Sequence, residues 1–279
     1  MPPVCIVTDS TALFPNPVFT GRAQVNILPA NWQPELASSS ERLKAADFPG
    51  SLKEADAPLL ATPGAAEFEA IFRQLGVRHD GVLAVLHSHE FSPASSYAQD
   101  AAQALDGTLS VRVVDSHSVS LGLGLIVQAA AAAAEEGMPL PELDLFTRSL
   151  VPKVYGLLCV PGLTYLRRSG YVNPSQAIVG EYLDILQVFT LDNGELVPTQ
   201  KARNPRHLVD ILHEFLSEFV DLQHIALLQG APPFEQETRA LRERLAEENR
   251  NAPISEQIIN APFASLIGPH SLGIFAQEA

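Results

Sequence analysis

Residues 82–105, VLAVLHSHEFSPASSYAQDAAQAL, decide how this chain folds. The stretch opens on Val82, Leu83, Ala84, Val85 and Leu86, a short apolar run of the kind that forms a buried strand. It closes on Ala, Gln and Leu, which are good helix formers. Between the two, Ser92 followed by Pro93 fits a helix N-cap with proline at the first helical position. The stretch predicts a strand, a turn rich in His and Ser, and the exposed N-terminus of a helix. Unpaired N–H groups and the helix dipole favour an anion at such an end. Read alone, it is first of all an ordinary capped helix in an α/β domain.

The flanking sequence repeats the theme. Residues 4–7 form a buried-strand run ending in Thr8-Asp9-Ser10-Thr11, and residues 24–28 give a second strand. Residues 29–60 alternate polar and Pro-containing loops, with one weak helical stretch near 40–46. Phe68, Ile71, Phe72 and Leu75 recur at helical spacing after Thr62-Pro63-Gly64, which makes Thr62 a candidate cap. Residues 109–114 predict another strand, ending in Asp115-Ser116-His117-Ser118, and a long helix follows over 119–136. Strand and helix in alternation argue for a parallel, doubly wound sheet. A further short helix over 143–150 leads to Pro152, the expected boundary between an N-terminal domain (1–152) and a C-terminal one (153–279).

The second half predicts a strand at 154–160, a short helix ending at Gly170, and a hairpin through Asp192-Asn193-Gly194. An amphipathic helix over 205–219 carries Leu208, Ile211, Leu212, Phe215 and Phe219 on one face. A strand, a charged helix (234–249) and another strand (254–259) follow in a smaller α+β-like domain, and residues 271–275 close the chain.

Composition narrows the function. With 279 residues, 46% hydrophobic and 18% charged, the chain has the make-up of a globular protein. A net charge of −14 argues against nucleic acid, whose binding relies on clustered Lys and Arg. Cys5 and Cys159 sit inside apolar runs and read as small buried hydrophobes. The N-terminus lacks a basic, apolar leader, and the Ala-rich stretch 121–134 is too short for a membrane span. The expectation is a cytoplasmic, soluble protein.

Several chemistries are open to these residues. His87-Ser88-His89 puts two imidazoles on one side of an extended segment, able to ligate a metal with Asp9 or Asp115. A metal- or His-dependent hydrolase using His87, His89 and Asp115 is therefore one reading. There is no Gly-x-Ser-x-Gly elbow, Walker loop or Gly-x-Gly-x-x-Gly after a strand, and no cofactor is expected. Gly122-Leu123-Gly124 fits close helix packing. Thr62, Ser92 and Ser116 each fall beyond a strand end or at a helix start, and such neutral donors suit a carboxylate.

Five segments in order resemble the DegV family over essentially the whole length. They are Ile6-Val7-Thr8-Asp9-Ser10-Thr11, Val113 to Gly124, Leu163 to Gly170, Lys201-Ala202-Arg203-Asn204-Pro205, and Leu272-Gly273-Ile274. The resemblance implies two α/β domains holding one acyl chain between them, and no catalytic residue of the chain's own. It also implies a fatty acid such as palmitate or oleate as ligand, presented in some members to a separate kinase of the dihydroxyacetone-kinase type. Its carboxylate-binding Ser corresponds to Ser92, and Arg203 is retained. The family's Thr falls on Leu60 without a gap, or on Thr62 after a local shift. Its C-terminal His falls on Leu266 or on His270, depending on the anchor. Around Ser92 the neighbours depart from the family pattern, as Ser88-His89-Glu90-Phe91-Ser92-Pro93-Ala94, and its basic pair is replaced within Asp184-Ile185-Leu186-Gln187. The expected ligand set is Ser92, Thr62, Arg203, His270 and Ser116; a scaffold with a closed tunnel is the remaining alternative.

Overall fold

The computed structural model describes residues 4–33, 43–53, 55–172, 186–248 and 252–279. Contacts divide the chain into two units. The first comprises Met1–Asn31, Ala61–Val154 and Asn193–Glu195; the second comprises Trp32–Leu60, Tyr155–Asp192 and Leu196–Ala279.

The first unit is built on strands β1 (Cys5–Thr8), β2 (Val25–Ile27), β5 (Gly81–Leu86) and β6 (Ser110–Asp115), in the order β2-β1-β5-β6. All three pairings are parallel, as the alternation of strand and helix predicts. Period-2 alternation divides the strand residues between two faces. Ile6, Leu83, Val85 and Val114 pack on one side with α3 (Ser120–Glu135) and α4 (Leu140–Leu150). Cys5, Val7, Val82, Ala84 and Leu86 face the other side, against α1 (Ala65–Gly76) and α2 (Ala94–Ala104). Helices thus cover both faces, and Phe68 and Phe72 of α1 are fully buried. Gly124 serves close packing of a different kind from helix on helix. A Cβ there would stand 1.8 Å from the Leu13 carbonyl oxygen, so α3 lies directly on the backbone of the turn after β1.

The second unit carries the strands β7 (Val154–Pro161), β8 (Leu186–Asp192), β9 (Glu195–Ala202), β10 (Leu222–Gln229), β11 (Ile254–Ile258) and β12 (Leu272–Glu278). Their order is β11-β10-β12-β7-β8-β9. The sheet is mixed: β10 runs parallel to β11 and antiparallel to β12, and β7 antiparallel to β8. Asn193 and Gly194 adopt φ of 49° and 88° at the hairpin turn, the left-handed pair that Asn-Gly supplies. Helices α6 (Pro205–Ser217) and α7 (Glu235–Glu247) pack on this sheet through Leu208, Leu212, Leu241 and Leu245. The short α5 (Thr164–Arg168) lies against α8 (Ala261–Ile267), a helix that the sequence pattern did not predict. Strands β3 (Asn31–Gln33) and β4 (Leu59–Ala61) pair as a small separate sheet. The weak helix expected near 40–46 begins outside the described residues, and only a 3₁₀ turn at Ala45–Asp47 is seen. Asp184 and Ile185 also lie outside them. Among the described residues no helix is long and apolar enough to cross a membrane.

Candidate functional site

The first sheet changes its direction of winding at β1, with β2 added on one side and β5 on the other. In open parallel sheets the crevice beyond the C-terminal strand ends at such a point is where ligands sit. Two residues meet there. Asp9 follows the end of β1, and His87 follows the end of β5.

Asp9 is almost wholly enclosed by donors. Its Oδ2 accepts the His87 backbone N–H at 2.8 Å. Its Oδ1 accepts the Thr11 N–H at 2.9 Å and the Thr11 hydroxyl at 2.5 Å. The same Oδ1 lies 3.0 Å from His87 Nδ1, close, but with the ring N–H turned off the line of a good hydrogen bond. The other ring nitrogen, Nε2, is 2.7 Å from Ser92 Oγ. Phe91 meets the His87 ring edge to face, with centroids 6.5 Å apart, and completes its packing. Asp9, His87 and Ser92 therefore form one continuous chain of polar contacts.

Burial opposes charge on both buried members, and their mutual attraction overrides it. For Asp9, burial pushes the carboxyl upward, but His87 and the hydrogen bonds from His87 and Thr11 bring it down to about 2. For His87, burial favours the neutral ring, and Asp9 with a further contribution from Asp115 raises its pKa above the ordinary value. The result is an inward carboxylate, a ring biased toward its cationic form, and a serine hydroxyl at the outer end.

Ser92 does not cap the helix as its sequence suggests. The helix begins at Ala94 with Pro93 in the cap position, and Ser92 Oγ only approaches the Ala94 N–H at 3.4 Å. The hydroxyl is drawn to the imidazole instead. Thr62 is likewise no cap, since Gly64 precedes α1 and its N–H is bound by the Glu67 carboxylate at 2.7 Å. Thr62 is half-buried in the loop between β4 and α1. Ser116 is buried, and its hydroxyl is engaged within its own loop, donating to the Ser118 carbonyl and accepting from the Ser118 N–H. Ser92, Thr62 and Ser116 all belong to the first unit. Arg203 and His270 belong to the second, where Arg203 is exposed and His270 lines a groove of about 790 Å³ with Lys44, Pro232 and Asn260.

The metal set built on His87 is not what the structure assembles. Both His87 nitrogens face Asp9 and Ser92, and the atoms within 4.8 Å of one another belong to His89, Asp115 and His117. In that group Asp115 Oδ2 is bound by His89 Nδ1 at 2.7 Å and by the His89 N–H at 3.0 Å. The loop that carries it is strained. His117 and Ser120 hold φ of 47° and 55°, a region such residues seldom occupy. The hydroxyls of Thr8, Ser118 and Ser120 are buried and find no partner.

The sequence pattern groups His87 with His89 and offers Asp9 as a further ligand of the same metal, without pairing Asp9 to His87 directly. The available signal was topological: two polar residues, each just past a buried strand, become neighbours once those strands are placed side by side.

A model of the family described as "Uncharacterised protein, DegV family" matches residues 3–279. A DegV domain-containing protein of Caldanaerobacter subterraneus subsp. tengcongensis is 27% identical over 217 residues, 77% of each chain. The solved structure of a fatty-acid-binding DegV family protein from Thermus thermophilus superposes with a TM-score of 0.83 at 26% identity, covering 99% of this chain and 100% of the other. The Streptococcus pneumoniae fatty acid kinase B3 protein, loaded with linoleic acid, shares the fold with a TM-score of 0.84 at 18% identity, covering 99% and 100%.

Proposed function

The chain belongs to the DegV family, and from that premise we propose that it binds a long-chain fatty acid with the carboxylate at Ser92. The observation that carries this reading is the buried relay from Asp9 through His87 to the half-buried Ser92 hydroxyl. With His87 protonated, Nε2–H donates to Ser92 Oγ, and the Ser92 O–H is left to donate to a carboxylate. The first-turn N–H groups of α2 add partial positive charge beside it. The fatty-acid-binding Thermus thermophilus relative supports the choice of ligand. Thr62 supplies a second hydroxyl from the same unit. Ser116 is the weakest member, its hydroxyl being engaged within its loop.

Magnitudes favour a lipid whose tail carries the affinity. Burial contributes roughly 0.8 kcal/mol per CH₂, so about a dozen methylenes outweigh any one headgroup hydrogen bond of about 1 kcal/mol. The reading extends to a partner. A separate kinase would phosphorylate the presented carboxylate; the name of the Streptococcus pneumoniae fatty acid kinase B3 protein supports a kinase partner, and the dihydroxyacetone-kinase type is what the family resemblance implies.

Organic extraction of the purified protein followed by mass spectrometry tests the ligand. Palmitate or oleate should co-purify or raise the melting temperature when added, and Ser92→Ala should weaken binding several-fold. A protein that is repeatedly lipid-free and unshifted by either acid does not have this function.

A further inference from the structure

We propose that Ser92, His87 and Asp9 are a nucleophile, a general base and a positioning carboxylate, and that the chain hydrolyses long-chain acyl esters and thioesters. The inference rests on the fatty-acid reading, because the acid released would be the ligand assigned to the same place.

The geometry is that of an activated serine. Ser92 Oγ and His87 Nε2 are 2.7 Å apart, and the opposite ring nitrogen lies 3.0 Å from the Asp9 carboxylate. A nucleophile within hydrogen-bond reach of a base, itself oriented by a third group, is the recurring signature of acyl transfer on unrelated folds. Asp9 and His87 side chains are 9% and 6% exposed, so water does not separate the pair. The Nδ1 contact is imperfectly aligned, as such contacts often are before substrate binds. No Gly-x-Ser-x-Gly elbow is needed: the five-residue step from His87 to Ser92 brings base and nucleophile together within one strand–turn–helix unit. Pro93 has no N–H and that of Ala94 already leans on Ser92 Oγ at 3.4 Å, so the developing oxyanion would be met by the first-turn N–H of Ser95, which has no partner within the helix.

The reaction balances with water as the only co-reactant. Ser92 Oγ attacks the acyl carbon, its proton passes to His87 Nε2, and an Oγ–C bond forms. The C–O or C–S bond then breaks, and the departing alcohol or thiol takes that proton. Water attacks the acyl-serine and gives a proton to His87, which returns it to Oγ as the fatty acid is released. The charged groups that face the imidazole are Asp9, from the end of β1, and Asp115, from the end of β6. Only the neutral ring can act as base, so turnover should rise with pH as His87 deprotonates.

The test uses the full chain, stripped of lipid. A fluorophosphonate probe should add to Ser92, located by peptide mass mapping, and p-nitrophenyl palmitate and palmitoyl-coenzyme A should be hydrolysed. Ser92→Ala should abolish labelling, and His87→Gln, confirmed folded by circular dichroism, should lower kcat/KM by at least about 100-fold. Asp9→Asn should move the alkaline rise in activity to lower pH, which a purely structural role for Asp9 would not do. Wild-type protein that binds palmitate but neither labels nor hydrolyses overturns the hydrolase and leaves the binding reading intact. Hydrolysis unchanged in folded His87→Gln overturns it equally. Protein that labels at Ser92 but never binds a fatty acid overturns the binding reading instead.

Discussion

Asp9 and His87 are joined twice, through the backbone N–H of His87 at 2.8 Å and through its ring Nδ1 at 3.0 Å. One carboxylate thus fixes both the end of β5 and the direction in which its imidazole points. Removing it leaves a buried ring without its counter-charge. Breaking a buried pair from one side costs about 3–5 kcal/mol, more than the pair's net worth. Asp9→Asn should therefore lower stability by about 3 kcal/mol in urea unfolding. The double variant with His87→Gln should recover part of that loss, and strict additivity would show that the two residues are not coupled.

The same pair sets a pH window. Asp9, lowered to about 2, stabilises the fold above the ordinary carboxylate value of about 4, and loses that contribution as pH falls toward 2. His87 has its pKa raised, so its contribution is complete below about pH 6.5 and is lost as pH climbs through the folded value. Both limbs report one interaction and are not summed. Urea midpoints should be highest between about pH 5 and 6.5. His87→Gln should flatten the alkaline limb; an unchanged alkaline decline would assign it to another group.

Much of this arrangement was legible in the residues. The apolar run 82–86 and the helix formers after Ala94 are strong local signals, and they fall where the structure has β5 and α2. Period-2 alternation could not tell which strands lie side by side, so the meeting of Asp9 with His87, 78 residues apart, was out of reach. Ser92-Pro93 looks like a cap because Ser and Pro usually act so. The competing partner, His87 Nε2, becomes visible only when the turn closes. Helix α8 was missed because Ala261 to Ile267 is short and buried along nearly its whole length, which leaves no polar face to give it a period. The placement of Trp32–Leu60 with the second unit depends on contacts that span more than a hundred residues.

Two glycines should respond to alanine for different reasons. Gly124 has a helical interior position where alanine is ordinarily favoured by about 1 kcal/mol. Its Cβ would stand 1.8 Å from the Leu13 oxygen, and Leu13 is itself fastened to α3 through its N–H and the Ser120 carbonyl at 3.1 Å. Backbone must shift against backbone, so Gly124→Ala should destabilise by roughly 2 kcal/mol or more. Gly137, at φ 89° with open space around it, should cost only about 1–2 kcal/mol from backbone strain. Unfolding midpoints of the two variants compare these directly, and a neutral Gly124→Ala would mean that the turn yields.

Arg168 is the peg that holds residues 49–60 within the second unit. Its guanidinium donates to the carbonyls of Ala57, Pro58 and Ser265, and lies 5.3 Å from the centroid of the Tyr165 ring. Tyr165 in turn donates its hydroxyl to the Pro49 carbonyl at 2.7 Å. Two further backbone N–H groups of the segment, Leu52 and Leu60, bind the hydroxyls of Thr164 and Ser265 at 3.1 and 3.3 Å. Only a planar fork with several donors can serve three carbonyls at once, so lysine is no substitute. Arg168→Lys and Arg168→Met should both speed amide exchange at Leu52 and Leu60 by more than about tenfold, because unpaired carbonyls cost about 1 kcal/mol or more each. Exchange at β1 and β5 in the first unit should stay as slow as in the parent protein. Uniform acceleration across the chain would point to global unfolding, and unchanged exchange at both leucines would show that Tyr165 and Thr164 hold the segment without the arginine.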